Sequence, residues 1–542
     1  MTSLNIGDGQ GWSFMHGKWS DGPDGKLIPP DGTDVEYLAV KSDEAYGDFT
    51  ARFRFKFRRW SLGGARFLFR VQDSRRFYAL DVPWCGQQKR ARYFWAGIVV
   101  GDGTPLQRYL NFGLVPGLCA KDGSWYEARV EARGPRLRAW IDGRPVADVE
   151  DDTYASGRLG LGGIAASSEE TAHFGRLEVD GKAAPAADWP GLVPPPQHWV
   201  SPCPVVDADT CQSYANIIKS KSGALTLFLK MGNPNWGEVR RAVYVRSSDA
   251  GRTWSEPEPA TLEQGLSAKF VREDGTWVCM FPNRPPHGTP RPWAFYTYES
   301  PDEGRTWNGP NEMKIGGELP EGWRAPSPCM PVRMHDGALM LPLGTERLMP
   351  AGVGDECLVR RTTFAVRSED DGRTWSAPVP CDTSNKLPGE PIPAGTLEAA
   401  LAGNFSEIRY AEVRDDVLVA IARPVKDPYM WQLQSNDGGR SWEPAAIGPF
   451  PGYCPSLTAT AGGALVATTR FPHFAAHLSR DGGVTWDPPV IVDYALWANQ
   501  IAVLGEPDVV VVSYMGHCAQ PEQADSRIAR LRVTPEGLVI DQ

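Results

Sequence analysis

Five copies of one octamer, Ser-x-Asp-x-Gly-x-Ser/Thr-Trp, restrict what this chain can fold into more than any other feature. They read SSDAGRTW at 247–254, SPDEGRTW at 300–307, SEDDGRTW at 368–375, SNDGGRSW at 435–442 and SRDGGVTW at 479–486. Asp249, Asp302, Asp370, Asp437 and Asp481 follow one another at intervals of 53, 68, 67 and 44 residues. Each interval has room for four short strands and their turns, which is one blade of a β-propeller.

The chemistry of the octamer is local. The Asp carboxylate accepts backbone N–H groups inside a tight turn, and the Gly takes a backbone conformation that a Cβ would hinder. The Ser or Thr hydroxyl adds a second local bond, and the Trp is expected to pack between neighbouring sheets. These residues read as architecture, not catalysis.

The chain has 542 residues, more than a single core usually serves. Residues 1–181 carry alternating strand patterns such as FTARFRFKFR at 49–58, ARFLFRVQ at 65–72, RFYALDV at 76–82 and WYEARVEARG at 125–134. Alternation with one polar face predicts an antiparallel β-sandwich. A Pro-rich linker is expected over residues 182–198, which include three consecutive prolines. The propeller should then fill residues 199–542. The fold class expected is all-β, a β-propeller preceded by a β-sandwich.

A net charge of -10 argues against nucleic acid as a partner, since phosphate binding needs a basic surface. No apolar run is long enough to span a bilayer, so no membrane partner is expected. The start MTSLNIGDGQGWSF has no signal-peptide pattern, which gives a cytoplasmic location as the expectation. The ten cysteines are scattered singly with no CxxC pair, so buried free thiols are expected rather than a zinc site, and no cofactor is implied.

The octamer is the Asp box, and its recurrence resembles the sialidase (neuraminidase) superfamily of six-bladed propellers. The phrase WYEARVEARGPRLRAWIDGRPVADVED resembles the concanavalin A-like jelly rolls of lectins and glycosidases. The sialidase resemblance implies an axial pocket in which three arginines hold a substrate carboxylate. A Tyr–Glu pair supplies the nucleophile and an Asp the general acid.

Carried onto this chain, EIRYAEVRDDVLVAIAR at 407–423 places Glu407 at the family glutamate and Arg423 at the second arginine. ALVATTRFPHFAAHLSRDGG at 464–483 places Arg470 at the third. Where the first arginine is expected, the chain has Gln212, Ser213 and Tyr214. The loop that carries the family acid holds Glu238 and no Asp, beside Trp236. The family tyrosine aligns with Ala498; Tyr494 stands nearby. Arg324, Glu346, Arg347, His287 and His473 are further polar candidates near strand ends, and Trp236, Trp293 and Trp431 are candidates for stacking on sugar.

The resulting expectation is an exo-acting glycoside hydrolase that removes a terminal, anionic sugar from a glycan or oligosaccharide. Glu407, Glu238 and Tyr494 are its catalytic candidates; Arg423, Arg470, Arg324, Trp236 and His473 are its substrate-binding candidates. Two alternatives stay open. One is a polysaccharide lyase acting on a uronate, and the other is a glycan-binding protein without catalysis.

Overall fold

The computed structural model describes most of the chain. The longer stretches outside the described residues are 29–34, 58–63, 83–92, 104–107, 166–171, 193–211, 234–237, 261–268, 283–294, 319–322, 351–356, 382–404, 425–428, 494–500 and 516–525, with 471–473 among the shorter ones. Two compact units divide it, Met1–Pro196 and Gln197–Gly516 with the C-terminal segment.

The first unit is a sandwich of a nine-stranded and an eight-stranded antiparallel sheet. Its core is a stack of aromatic rings facing each other across the sheets. Phe53 and Phe67 lie 5.1 Å apart, and Phe49 meets Phe69 edge-on at 5.9 Å. The strand Gly64–Val71 departs from the expected polar face, because every residue in it is buried. Met15, Leu38 and Val40 cover its outer side, with Trp189 and Leu192 packed against them. The arginines this buries are neutralised in place. Arg66 pairs with Asp81 at 2.9 Å, and Arg70 donates to the carbonyls of Gly47 and Tyr154. A buried charge is tolerated only when compensated in this way. The last strand, Leu177–Pro185, keeps its ladder beyond Gly181, pairing Ala183 with Tyr46 and Pro185 with Glu44.

The second unit is a propeller of six separate antiparallel sheets, each made from one contiguous stretch of chain. Blade one contains Gln212–Lys219, Leu225–Asn233, Glu238–Ser247 and Glu258–Pro259. Blade two contains Lys269–Val271, Trp277–Pro282, Phe295–Ser300 and Asn308–Glu312. In blade three, Trp323–Pro328 and Val332–Arg333 pair with Leu339–Pro350, followed by Cys357–Ser368 and Val379–Pro380. Blade four is Phe405–Arg414, Val417–Pro424, Tyr429–Ser435 and Ala446–Pro451. Blade five is Tyr453–Ala459, Leu465–Arg470, Phe474–Ser479 and Val490–Asp493. Blade six is Ile501–Glu506, Val509–Met515, Ser526–Thr534 and Gly537–Ile540.

The octamers form the turns between the third and fourth strands of blades one to five. In blade two, Asp302 accepts from the Thr306 amide at 2.8 Å and its hydroxyl at 2.7 Å, and the Gly304 amide donates to Ser300 Oγ at 2.7 Å. The same set recurs around Asp249, Asp370, Asp437 and Asp481. Two successive residues of each turn take positive φ, as in Glu303 (56°) and Gly304 (88°). The glycine is needed for space as well as for backbone freedom. A Cβ on Gly372 of blade three would lie 2.5 Å from the Phe270 ring of blade two, and one on Gly439 of blade four 2.2 Å from Met340 of blade three. Each box thus presses on the preceding blade. The box tryptophans join in, Trp375 meeting Phe270 edge-on and Trp486 meeting Phe450 of blade four.

Blade six carries no octamer, yet it closes the ring. Gly251 of blade one abuts Val511, and Lys219 Nζ donates to the Leu504 carbonyl at 2.7 Å. Ile217, Leu227 and Val245 share a buried cluster with Val509, Val511 and Ile528. Each fully buried Val or Leu of this kind contributes roughly 1.5–3 kcal/mol. Trp431, a candidate for sugar stacking, is instead fully buried in the cluster between blades three and four. Its ring is large and apolar, and the inter-blade core is where such a ring gains most.

Candidate active site

The first strand of every blade lines one central cavity of about 760 Å³, which Ile217, Phe270, Arg333, Arg409, Ser456 and Val503 border from the six blades in turn. Its lining includes Arg409 but neither Glu407 nor Arg423, so it lies below the level of the candidate residues, toward the turns that join first and second strands. There Glu412, buried, accepts the Asp416 amide at 3.0 Å and seals the turn of its own blade.

At the other end of the axial strands, four blades repeat one irregularity. Ser213 pairs with Lys230 and Asn216 with Phe228, so two residues of the axial strand face one of its neighbour. The same two-against-one bulge lies between Arg324↔Glu346 and Ser327↔Gly344, between Ser406↔Arg423 and Arg409↔Ile421, and between Tyr453↔Arg470 and Ser456↔Thr468. A bulge bends the strand and re-aims the side chain of its extra residue. The first bulged residues are Tyr214, Ala325, Glu407 and Cys454. The partners at the ends of the second strands are Lys230, Glu346, Arg423 and Arg470.

In blades four and five the side chains of the first bulged residues are described. Glu407 has φ 50° and Cys454 φ 46°, both in the left-handed region that residues with a Cβ avoid. Strain of this kind clusters at functional sites. Arg423 Nη1 donates to Glu407 Oε1 at 2.8 Å, and the Cys454 thiol donates to Glu407 Oε2 at 2.9 Å. Arg423 Nη1 also lies 3.6 Å from Cys454 Sγ. The guanidinium is largely buried at 15% exposure, whereas the carboxylate is 43% exposed. A carboxylate so presented can accept a proton or attack an electrophile, while its neighbour offers charge to an anion.

Behind this pair, the Cys329 thiol is raised by burial; Arg409 acts against that rise and Glu407 adds to it. Tyr410 is raised well above the ordinary phenol range by burial, next to Cys381 at 2.9 Å. At the boundary of blades five and six, buried Asp493 accepts from Tyr514 at 2.9 Å and Arg527 at 2.7 Å. His477 stacks on Phe450 with centroids 3.7 Å apart, and burial lowers it to about 3.

The sequence candidates fall into three groups. Glu407 and Arg423 are in direct contact. Arg470, Arg324, Glu346, Arg347 and Glu238 are placed by their backbones alone: Arg470 opposite Tyr453, Arg324 opposite Glu346, Arg347 opposite Trp323 and Glu238 opposite Asn233. Tyr494, Trp236, His473, His287 and Trp293 lie outside the described residues. Nothing in its local sequence sets Cys454 apart from the other scattered cysteines. One signal in the sequence could have marked it: Cys454 precedes Arg470 by the same spacing, 16 residues, that separates Glu407 from Arg423.

Comparison with known proteins bears on the fold. Residues 280–496 match the BNR repeat-like domain, and residues 2–174 match the 3-keto-alpha-glucoside-1,2-lyase-like domain. No curated protein matches the chain. Among solved structures, a protein of unknown function from Dyadobacter fermentans is 16% identical, covering 64% of this chain and 98% of that one, with a TM-score of 0.46. A mutant of the NanB sialidase from Streptococcus pneumoniae is 10% identical over 91% of this chain and 96% of that one, with a TM-score of 0.42. An alpha-L-arabinanase from Penicillium chrysogenum is 15% identical over 62% of this chain and 99% of that one, with a TM-score of 0.41. The chain carries a six-bladed propeller that includes the BNR repeat-like match, and its N-terminal region carries a jelly-roll-like domain.

Proposed function

We propose that this protein is an exo-acting glycoside hydrolase that removes a terminal, anionic sugar from a glycan. The observation that carries this reading is the contact of Glu407 with Arg423 on a strained bulge at one end of the propeller axis. Glu407 is the base or nucleophile, and Glu238 the acid that protonates the leaving oxygen, a division of labour that two carboxylates can complete. Tyr494 is the further catalytic candidate. Arg423, Arg470 and Arg324 hold the anionic group of the sugar, with Trp236 and His473 as further contacts. Arginine suits this task because its planar fork meets a carboxylate with two parallel bonds.

The test is a panel of aryl sialosides and uronides offered to the wild type and to Glu407→Gln. Release of the aglycone by the wild type and its loss in the variant support the reading. Full activity in the variant removes Glu407 from the mechanism.

A second reading is favoured by the lyase-like description of the matched N-terminal domain. In a uronate or an oxidised sugar, an adjacent carbonyl acidifies a ring proton, and a base can then expel the glycosidic oxygen without water. An unsaturated product that absorbs in the ultraviolet separates elimination from hydrolysis.

A further inference from the structure

We infer that Cys454 is a positioning residue that fixes the plane of the Glu407 carboxylate. The inference deepens the proposed reading and rests on it for the activity part of its test. Each oxygen of Glu407 has its own donor. Arg423, from the same blade, holds Oε1 at 2.8 Å, and the Cys454 thiol, from the next blade, holds Oε2 at 2.9 Å. A carboxylate with one donor can swing about that bond; with two donors on different blades it cannot. The thiol donates to Oε2 through its own proton, while its sulfur lies 3.6 Å from Arg423 Nη1.

The backbone is shaped to deliver this sulfur. Cys454 and Glu407 are the first bulged residues of adjacent axial strands, and both pay in left-handed φ, 46° and 50°, to face one another. Gly452, at φ 157°, brings the blade-five strand so close to its neighbour that a Cβ would sit 2.5 Å from Thr469. Thr469 is the residue opposite the bulge and next to Arg470. The side chain of Cys454 is buried, which shields the thiol while leaving the carboxylate presented. A thiol whose only role was to fill space would need neither the strained backbone nor the contact with Oε2.

Two measurements test this. In the infrared spectrum, the S–H stretching band that disappears in Cys454→Ser should lie below that of a free thiol and move up in Glu407→Ala. A band unmoved by loss of Glu407 overturns the inference, whatever the enzyme does. In the kinetic arm, the aryl glycoside that the wild type cleaves best is the probe. Cys454→Ala should lower kcat by roughly tenfold or more with little change in KM, and Cys454→Ser, which restores a donor, should recover most of it. Equal loss in both variants, or a change in KM alone, overturns the positioning role. If no glycoside is cleaved by the wild type, the proposed function fails, and the infrared band alone decides the contact.

Discussion

Arg423 lies opposite Ser406 in its ladder, yet its guanidinium reaches one residue along to Glu407 Oε1 at 2.8 Å, because the bulge turns that side chain toward it. Two opposite charges are thereby fixed where one of them remains open to solvent.

The first prediction separates catalysis from stability at this pair. Because the carboxylate is 43% exposed but Arg423 only 15%, Glu407→Gln, which keeps an acceptor for the guanidinium, should cost about 1–3 kcal/mol of folding stability. The same variant should lower kcat by roughly 10²-fold or more if Glu407 moves a proton or attacks. Urea denaturation and steady-state kinetics on one preparation give both numbers, and a large loss of stability with little loss of turnover would make the pair architectural.

The second sets a box glycine, Gly372, against a turn glycine outside the boxes, Gly337. Gly337 and Gly372 have nearly the same φ, 88° and 82°, but a Cβ on Gly337 meets only Glu273 Oε1 at 3.6 Å, whereas one on Gly372 meets the Phe270 ring at 2.5 Å. Alanine at 337 should cost about 1 kcal/mol in backbone strain. Alanine at 372 should cost a further 1–3 kcal/mol or so from overpacking between blades. Chemical denaturation midpoints of the two variants compare these costs directly.

The third is a pH profile with two windows. Burial lowers His477 to about 3. The unfolded chain therefore takes up a proton near the ordinary histidine value, around pH 6.5, before the folded one does. Stability should fall as pH drops from that value toward 3, with a slope approaching about 1.4 kcal/mol per pH unit. The box carboxylates titrate lower: the Thr306 hydroxyl and amide hold Asp302 at about 2, and those of Thr485 do the same for Asp481. Their contribution is complete above the unfolded aspartate value, near 3.9, and is lost as pH falls toward 2. Melting temperature against pH should lose its upper slope in His477→Gln and soften its lower one in Thr306→Val.

The fourth addresses the seam between blades one and six. Val511 is buried against Gly251 and the blade-one cluster, so Val511→Ala should cost about 2 kcal/mol. Hydrogen exchange should accelerate first in Leu225–Asn233 and Val509–Met515, with the blade-four strands keeping their protection. Uniform acceleration around the ring would contradict a local seam.

The octamers made the propeller legible because their chemistry is complete within eight residues: Asp302, Thr306, Gly304 and Ser300 bond to one another without help from elsewhere. The alternation of FTARFRFKFR likewise gave the strand that became Glu44–Phe57. Arg66 and Arg70 misled, since a polar residue in an alternating strand usually faces water, and only the fold supplies Asp81 and two carbonyls to receive them. At the site, the sequence offered Glu407 and Arg423 only as candidates by resemblance, and the structure adds that the two are in contact. Cys454 was not legible, because its meaning depends on a bulge that displaces register by one residue and on a neighbour in another blade. Trp431 shows the converse: an aromatic near a strand end suits a sugar face or a core equally, and packing alone decides.

Every blade of this ring is a sheet of consecutive strands, and among the described residues the joint between the last and the first is made by side chains with no strand lent across it. The toroid is therefore a split washer rather than a buckled belt. It can spring open at one gap without breaking a single ladder bond, and the gap is set by Lys219, Gly251 and Val511. Glu407 sits in blade four, with two blades between it and that opening on one side and three on the other, so a change at the slit has whole sheets to cross before it reaches the charged pair.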